Sequence, residues 1–169
     1  MEGHRRTRQD PPERPARLSQ PPAAPIARPR PASRPASLRE RLRGPWRVLV
    51  EEPSMLPAAA PGDWLLVNPL LRRWPRPGTI VVFRDPDDDG LSMKRVAGAP
   101  GGTVPFAEGY LRLAEDEAWL LADADEAATA AAGFGPPRDS RLFGPVTVDR
   151  LVGRVLWRYG PRARIGRVR

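Results

Sequence analysis

The sequence predicts a mainly β domain behind an N-terminal segment that has no core. From Trp46 onward, short apolar runs alternate with turns rich in proline and glycine, and no long helical pattern separates them. This arrangement favours an antiparallel sheet that coils into a partial barrel. Residues 1–37 instead repeat Pro-Pro, Arg-Pro and Ala-Pro steps with almost no large apolar side chains, so we expect them to be disordered. The chain then divides into a tail over 1–45, a domain over 46–160 and a basic C-terminal tail over 161–169.

Each predicted element has its own local signal. Ser37 followed by Glu40 is typical of a helix N-cap, so a short helix is expected through Arg43, before a Gly-Pro step ends it. β-Branched and aromatic residues mark the strands, and turn residues separate them. The eight predicted strands cover 46–50, 64–67, 79–83, 91–96, 103–106, 110–113, 119–122 and 151–159. The alanine-rich segment 122–132 is expected to form a short helix or a mobile excursion.

Two features of the composition exclude classes of site, and a third singles out one residue. The sequence has no cysteine, which excludes disulfides, thiolate nucleophiles and Cys-ligated zinc. Its only histidine is His4, in the predicted tail, so a Ser-His-Asp triad and a histidine metal site have no parts, and we expect neither a metal nor a cofactor. Of 28 basic residues, Lys94 is the only lysine. Lysine differs from arginine in that it can lose its proton.

The charge distribution argues against a nucleic-acid partner. Residues 1–45 contain eleven arginines and four acids, whereas residues 46–169 contain 17 bases and 16 acids. Of the formal net charge of +8, +7 therefore lies in the tail and +1 in residues 46–169, which lowers the case for a basic face on the predicted domain. No apolar stretch approaches the ~20 residues that span a bilayer, and the N-terminus lacks the apolar core of a secretory signal. We expect a cytoplasmic protein without a stable membrane anchor, or one that is peripheral at the membrane; its oligomeric state stays open.

Ser54 and Lys94 are the candidate catalytic residues. Ser54 lies between prolines at the end of a predicted strand, and such a serine is by itself common in turns. Lys94 lies within a predicted strand, where most lysines face solvent. Because arginine is used everywhere else, a buried Lys94 with a lowered pKa can act as the general base that histidine usually supplies. It would take the proton of the Ser54 hydroxyl, which would attack a peptide carbonyl and form an acyl-enzyme. The Ser54 backbone N–H can donate to the oxyanion, and the second donor is not identified.

Two further segments have competing interpretations. Asp139 and Arg141 lie in a polar turn over 139–145 and form either a salt bridge that buttresses the site or an ordinary surface pair. The acidic run 85–90 begins like an EF-hand loop, but its twelfth position is Val96 instead of glutamate, so a hairpin turn is expected.

Five motifs in order resemble the type I signal peptidase family of Ser/Lys proteases, over roughly residues 47–160. They are Ser54-Met55-Leu56-Pro57, Pro61-Gly62-Asp63, Pro77-Gly78-Thr79-Ile80-Val81-Val82-Phe83, Lys94-Arg95-Val96-Ala97-Gly98-Ala99-Pro100-Gly101 and Asp139-Ser140-Arg141-Leu142-Phe143-Gly144. The resemblance implies the signal-peptidase-like coiled β-sheet, with Ser54 as nucleophile and Lys94 as general base. It implies that the site is supported by Met55, Arg95, Asp139, Ser140 and Arg141. The implied partner is a protein precursor substrate.

The sequence departs from the family pattern at three places. Glu52 stands where serine or glycine is usual, Pro137 replaces a serine expected to orient the lysine, and 122–124 reads Ala-Asp-Ala instead of Gly-Asp-Asn. Members of the family usually have an N-terminal membrane anchor, and this sequence has a polar tail rich in proline and arginine instead. This tail, the sequence around Ser54 and the segment 152–159 look most like the soluble maturation proteases of nickel-type superoxide dismutase. That branch implies removal of an N-terminal extension from a precursor.

Two alternatives remain at this point, and a third is excluded. One is a signal peptidase I that cleaves secretory precursors, and another is a catalytically inactive relative that binds peptides by β-augmentation. A self-cleaving repressor-type domain would need a helix-turn-helix, which residues 1–45 are too rich in proline to supply.

Overall fold

The computed structural model describes residues 44–107 and 109–168. The helix expected over 37–43 and most of the tail expected over 1–45 lie outside these residues. Within the described part, nine strands form antiparallel pairs and few residues are helical. The strands are β1 (Trp46–Leu49), β2 (Trp64–Asn68), β3 (Ile80–Arg84), β4 (Leu91–Gly98), β5 (Thr103–Phe106), β6 (Gly109–Arg112), β7 (Glu117–Leu121), β8 (Val146–Thr147) and β9 (Leu151–Gly160). The mainly β prediction is confirmed.

Seven strands form one sheet in the order β1-β2-β9-β3-β4-β7-β8, and β5 and β6 form a separate hairpin. In the described chain β1 and β8 stand at the two ends of this sheet and do not pair with each other, so the sheet is open and is not a closed barrel. Val81 of β3 lies opposite Lys94 of β4 on one side and Arg154 of β9 on the other. The strand that carries Lys94 is therefore held in the interior of the sheet, between β3 and β7.

The helical elements are short and lie in the connections. Helix α1 (Glu126–Ala131) falls in the alanine-rich segment and is capped by the Asp125 side chain, which accepts a hydrogen bond from the Ala128 N–H. Helix α2 (Ser140–Phe143) occupies the segment for which the sequence predicted only a turn. A helix of four residues has too few positions for a periodic pattern, which explains why it was missed.

The hairpin expected at the acidic run connects β3 to β4. The Asp85 N–H donates to the Gly90 carbonyl at 2.8 Å, and Asp89 has a positive φ of 60°. The side chains of Asp85 and Asp88 accept hydrogen bonds from the backbone N–H groups of Asp87 and Gly90. These carboxylates stabilise a tight turn between two paired strands, as the sequence analysis predicted.

One of three buried clusters anchors the segment between β1 and β2. It contains Val50, Met55, Ala59, Leu65 and Ile80, and Met93 and Val168 pack against it. Burying a side chain of this size contributes about 1.5–3 kcal/mol, so the cluster fixes this segment against the sheet.

Among the described helices, none is long and apolar enough to cross a membrane.

Candidate active site

Ser54 lies in a loop that is pinned by its neighbours. A 3₁₀ turn over Pro53–Met55 follows β1, with proline in the first turn, where its missing N–H costs nothing. Met55 is fully buried, whereas Ser54 is half-buried. The Leu56 N–H donates to the Pro53 carbonyl at 3.0 Å and the Ala59 N–H donates to the Met55 carbonyl at 2.7 Å. Met55, expected to support the site, thus anchors the loop in the core and leaves the Ser54 hydroxyl outside it.

The Lys94 amine reaches the Ser54 hydroxyl. Lys94 is 4% exposed, and its Nζ donates to Ser54 Oγ at 3.0 Å and to the Met93 carbonyl at 3.0 Å. Pro137 lacks the hydroxyl expected to orient the lysine, and the Met93 carbonyl supplies the amine's second contact. The two candidate catalytic side chains, 40 residues apart in sequence, are therefore within hydrogen-bond distance.

The surroundings of Lys94 act on its charge in opposite directions. Burial lowers the pKa of Lys94 below its ordinary value, because the charged form loses water. Four carboxylates offset part of this and raise the pKa: Glu52, Asp139, Asp85 and Asp123, in that order. A buried amine with a lowered pKa and a hydroxyl in reach is the arrangement that general-base activation of a serine requires.

Arg95 and Asp123 hold the backbone of Ser54. Arg95 Nε and Nη2 donate to the two carboxylate oxygens of Asp123 at 2.7 and 2.5 Å, and Arg95 Nη1 donates to the Gly78 carbonyl at 2.7 Å. The backbone N–H groups of Asp123 and Ala124 both donate to the Ser54 carbonyl at 3.1 Å. Sequence analysis named Arg95 as a supporting residue but missed Asp123. The available signal was that Asp123 is the position of the Gly-Asp-Asn motif that this sequence retains.

Asp139 and Ser140 bind the end of β7, and Arg141 pairs with Asp139. Asp139, which is 1% exposed, accepts hydrogen bonds from the Ala122 N–H at 3.0 Å and from Arg141 Nη2 at 2.6 Å. Ser140 Oγ accepts a hydrogen bond from the Leu120 N–H at 2.9 Å. Since β7 pairs with β4, these contacts support the strand that carries Lys94.

The Asp139–Arg141 pair has one buried and one exposed partner. Burial raises the pKa of Asp139, but hydrogen bonds from Arg141 and from the Ala122 N–H outweigh it and leave the pKa below its ordinary value. The Arg141 side chain is 62% exposed. The sequence left open whether this is a salt bridge that supports the site or an ordinary surface pair. The structure shows a buried carboxylate that is held by an arginine at the surface.

A second group of charged residues holds the far end of the Ser54 loop. Asp63 is 1% exposed and pairs with Arg158 Nη1 at 3.0 Å and with Arg164 Nη1 at 3.2 Å. Arg158 Nη1 also donates to the Ala58 carbonyl at 2.9 Å. Arg164 belongs to a 3₁₀ turn over Arg162–Arg164, in the segment predicted as a basic tail, and Gly166 pairs with Arg158 through the backbone. The C-terminal segment therefore contacts the loop that carries Ser54.

Two clefts open beside Ser54 and Lys94. The first has a volume of about 200 Å³ and lies between the segment 48–52 and β4, with Val48, Val50 and Met93 among its lining residues. The second, of about 250 Å³, is bounded by the segment 134–138 and Thr129. Glu52, Ser54 and Lys94 line both. Val48 and Leu49, which line the first cleft, belong to β1, an edge strand of the sheet in the described chain.

Comparison with known proteins places the chain in a family. Residues 40–131 match the family model described as "Signal peptidase, peptidase S26". The chain belongs to peptidase family S26. The family expected from the five sequence motifs is thus confirmed, and the match ends before the Asp139–Gly144 motif.

Two curated S26-type relatives are similar over about two thirds of the chain. The "Mitochondrial ATP-independent inner membrane protease subunit 1b" of Arabidopsis thaliana is 34% identical over 113 residues, which is 64% of this chain and 66% of that protein. The "Signal peptidase I" of Leptolyngbya laminosa is 28% identical over 137 residues, which is 67% of this chain and 68% of that protein. The chain therefore spans about two thirds of the length of either relative.

No metal site accompanies this peptidase fold in the described chain. Residues 44–107 and 109–168 contain no group of three or more histidine, aspartate or glutamate side chains that could hold a metal ion.

Proposed function

We propose that this member of family S26 is a serine endopeptidase that uses Ser54 and Lys94 to remove an N-terminal extension from a protein precursor. The observation that carries the proposal is the contact of 3.0 Å between a buried lysine amine and a half-buried serine hydroxyl, both of which line a cleft of about 200 Å³. The S26 family match supports peptide-bond cleavage as the reaction.

The proposed reaction proceeds in two stages. Neutral Lys94 accepts the Ser54 hydroxyl proton as the oxygen attacks the scissile carbonyl carbon, and the Ser54 N–H donates to the developing oxyanion. The protonated Lys94 then gives its proton to the leaving amine, which departs and leaves an ester on Ser54. Lys94 next takes a proton from water, and the resulting hydroxide attacks the ester carbonyl carbon. The bond to Ser54 Oγ then breaks, the new C-terminal carboxyl group leaves, and protonated Lys94 returns its proton to Ser54 Oγ.

Two classes of precursor fit this mechanism. The sequence around Ser54 resembles the maturation proteases of nickel-type superoxide dismutase, which favours a dismutase precursor. The family model and the relative named signal peptidase I favour a secretory precursor equally. A dismutase precursor would place the enzyme in the cytoplasm, whereas a secretory precursor would place it at the membrane, so cell fractionation separates the two.

Cleavage of purified precursors tests the proposal. Full-length protein is incubated with each precursor, and mass spectrometry locates the new N-terminus. We expect one precursor to be cut by the wild type and by Thr103→Ala, which removes an exposed hydroxyl that borders neither cleft, and not by Ser54→Ala. Equal cleavage by Ser54→Ala would contradict the proposed nucleophile. Failure to cut either precursor would favour a peptide-binding relative that lacks activity.

A further inference from the structure

Glu52 differs from the other carboxylates that act on Lys94. Asp123 is paired with Arg95, and Asp139 is paired with Arg141. Asp85 accepts a hydrogen bond from the Asp87 N–H at 3.0 Å. These three acids are therefore engaged by groups of the protein itself.

Glu52 has no such partner among the described residues. It occupies the N-cap position of the 3₁₀ turn over Pro53–Met55, yet its side chain makes no capping hydrogen bond. It is exposed, it borders the clefts on both sides of Ser54, and its charge has the largest electrostatic effect on Lys94. A solvated carboxylate thus stands two residues from the candidate nucleophile, where a substrate must pass.

Three more acids extend this negative surface: Glu51 lines the first cleft, Asp85 lines the second, and Asp88 lines both. The Asp88 side chain also accepts a hydrogen bond from the Gly90 N–H. Among the residues that the structure describes, Arg138 is the only arginine that lines either cleft, and it is paired with Asp87. An acidic substrate side chain would be repelled by the carboxylates that line these clefts, whereas a cationic one would be attracted to them.

We propose that Glu52 is a specificity-determining residue that selects peptide substrates carrying an arginine or lysine beside the scissile bond. This inference rests on the proposed function, because it assigns the side-chain class that the same cleft accepts. The substrate cation pairs with the Glu52 carboxylate as the scissile carbonyl reaches Ser54. The pairing breaks no hydrogen bond of the turn over Pro53–Met55, since the Glu52 side chain makes no capping hydrogen bond there.

The same pairing affects the proposed base. A positive charge placed near Glu52 offsets the effect of that carboxylate on Lys94, so a larger fraction of Lys94 is neutral when the substrate is bound. Asp139, Asp85 and Asp123 stay engaged by their own partners and are not neutralised by the substrate. The preference for a basic residue should therefore be larger in kcat/KM than in binding alone.

Peptide binding to the full-length Ser54→Ala variant tests the selection without requiring cleavage. The probes are fluorescent alanine-rich peptides in which each position in turn carries arginine, its neutral analogue citrulline, or glutamate. At one position we expect arginine to bind about fivefold more tightly than citrulline, as a single solvent-accessible ion pair allows. Adding Glu52→Gln should abolish that preference. Adding the control Glu115→Gln, an exposed glutamate that borders neither cleft, should keep it.

The outcomes separate this inference from the proposed function. Equal binding of arginine and citrulline peptides at every position would overturn the selection by Glu52, as would a preference that survives Glu52→Gln. If the wild type cuts a precursor but shows no such preference, the endopeptidase proposal stands and the inference fails. If the preference exists but nothing is cut, the endopeptidase proposal fails and the inference describes a peptide-binding site.

Discussion

The charged residues that support the Ser54 loop and those that line its clefts differ in whether they form ion pairs. Behind the loop, three acids with little exposure are each paired with arginine: Asp63, Asp123 and Asp139. On the cleft side, Glu52 has no partner in the described chain, and Lys94 contacts a hydroxyl and a carbonyl instead of a carboxylate. Paired charges fix geometry, whereas unpaired ones stay available to a substrate or a proton. The difference identifies which groups hold the site and which can react.

The use of arginine behind the loop and lysine in front follows from their chemistry. A carboxylate bonded directly to Lys94 would stabilise its protonated form and raise its pKa, which would remove the base. Arginine stays protonated at any working pH, so Arg95, Arg141 and Arg158 can hold acids without titrating. Four predictions test this division, beginning with the side expected to react.

Replacing Lys94 by arginine should have the largest effect. Lys94→Arg keeps the positive charge but removes the group that can lose a proton, so kcat/KM for precursor cleavage should fall by about a thousandfold, within the range for loss of a general base. The exposed control Arg73→Lys should cleave as the wild type does. Initial rates of product formation measure both. Retention of most activity in Lys94→Arg would mean that charge, and not proton transfer, is what Lys94 supplies.

On the back of the loop, Arg158→Met should mainly affect stability. The substitution leaves the buried Asp63 carboxylate with one ion-pair partner, Arg164, and with the hydrogen bond from the Ala60 N–H. Breaking a buried ion pair costs about 3 kcal/mol. Arg154→Met on the same strand removes an exposed arginine and serves as the matched control. Urea unfolding compares the free energies of the two variants. Equal free energies of unfolding would show that the pairing with Asp63 does not hold the loop.

The two candidate catalytic residues and most strands could be predicted from the sequence, each from a different signal. Lys94 stood out because it is the only lysine, and Ser54 because its motif and that of Lys94 occur in order. Strands with β-branched runs were predicted to within about two residues, since each has a local signal. Helix α2 and the two-residue strand β8 were missed because such short elements are fixed by tertiary contacts, among them the Ser140 contact with Leu120.

The long-range ion pairs could not be predicted from local signals. Asp63 meets Arg158 across 95 residues, and Asp123 meets Arg95 across 28. With 27 arginines in the chain, the sequence does not indicate which one each acid binds. The sequence showed that Glu52 is unusual for the family at its position. The structure adds that Asp123 and Asp139 are paired with arginines, whereas the Glu52 side chain makes no capping hydrogen bond.

Asp123→Asn should affect catalysis more than stability. The variant keeps the backbone N–H groups that bind the Ser54 carbonyl but weakens the ionic contact to Arg95 that positions them. We expect kcat to fall by about tenfold with KM little changed, because a small displacement of a reacting group slows the chemical step. The exposed Asp116→Asn is the charge-matched control. A rise in KM with unchanged kcat would instead assign Asp123 to substrate binding.

The smallest effect, and the sharpest test of the cleft side, is the pH dependence of Glu52→Gln. The neutral form of Lys94 is the proposed base, so kcat/KM should rise with pH through the pKa of Lys94. The Glu52 carboxylate raises that pKa, and its removal should therefore move the acid limb to lower pH, by about half a unit for one exposed charge. The profile is measured with a neutral citrulline peptide, so that no substrate cation replaces the lost interaction. Glu115→Gln, remote from both clefts, should leave the limb in place. A shift of the acid limb to higher pH would show that the charge of Glu52 does not raise the pKa of Lys94. The same shift in Glu52→Gln and Glu115→Gln would show only an effect of net charge, because Glu115 lies away from the clefts and Glu52 borders both.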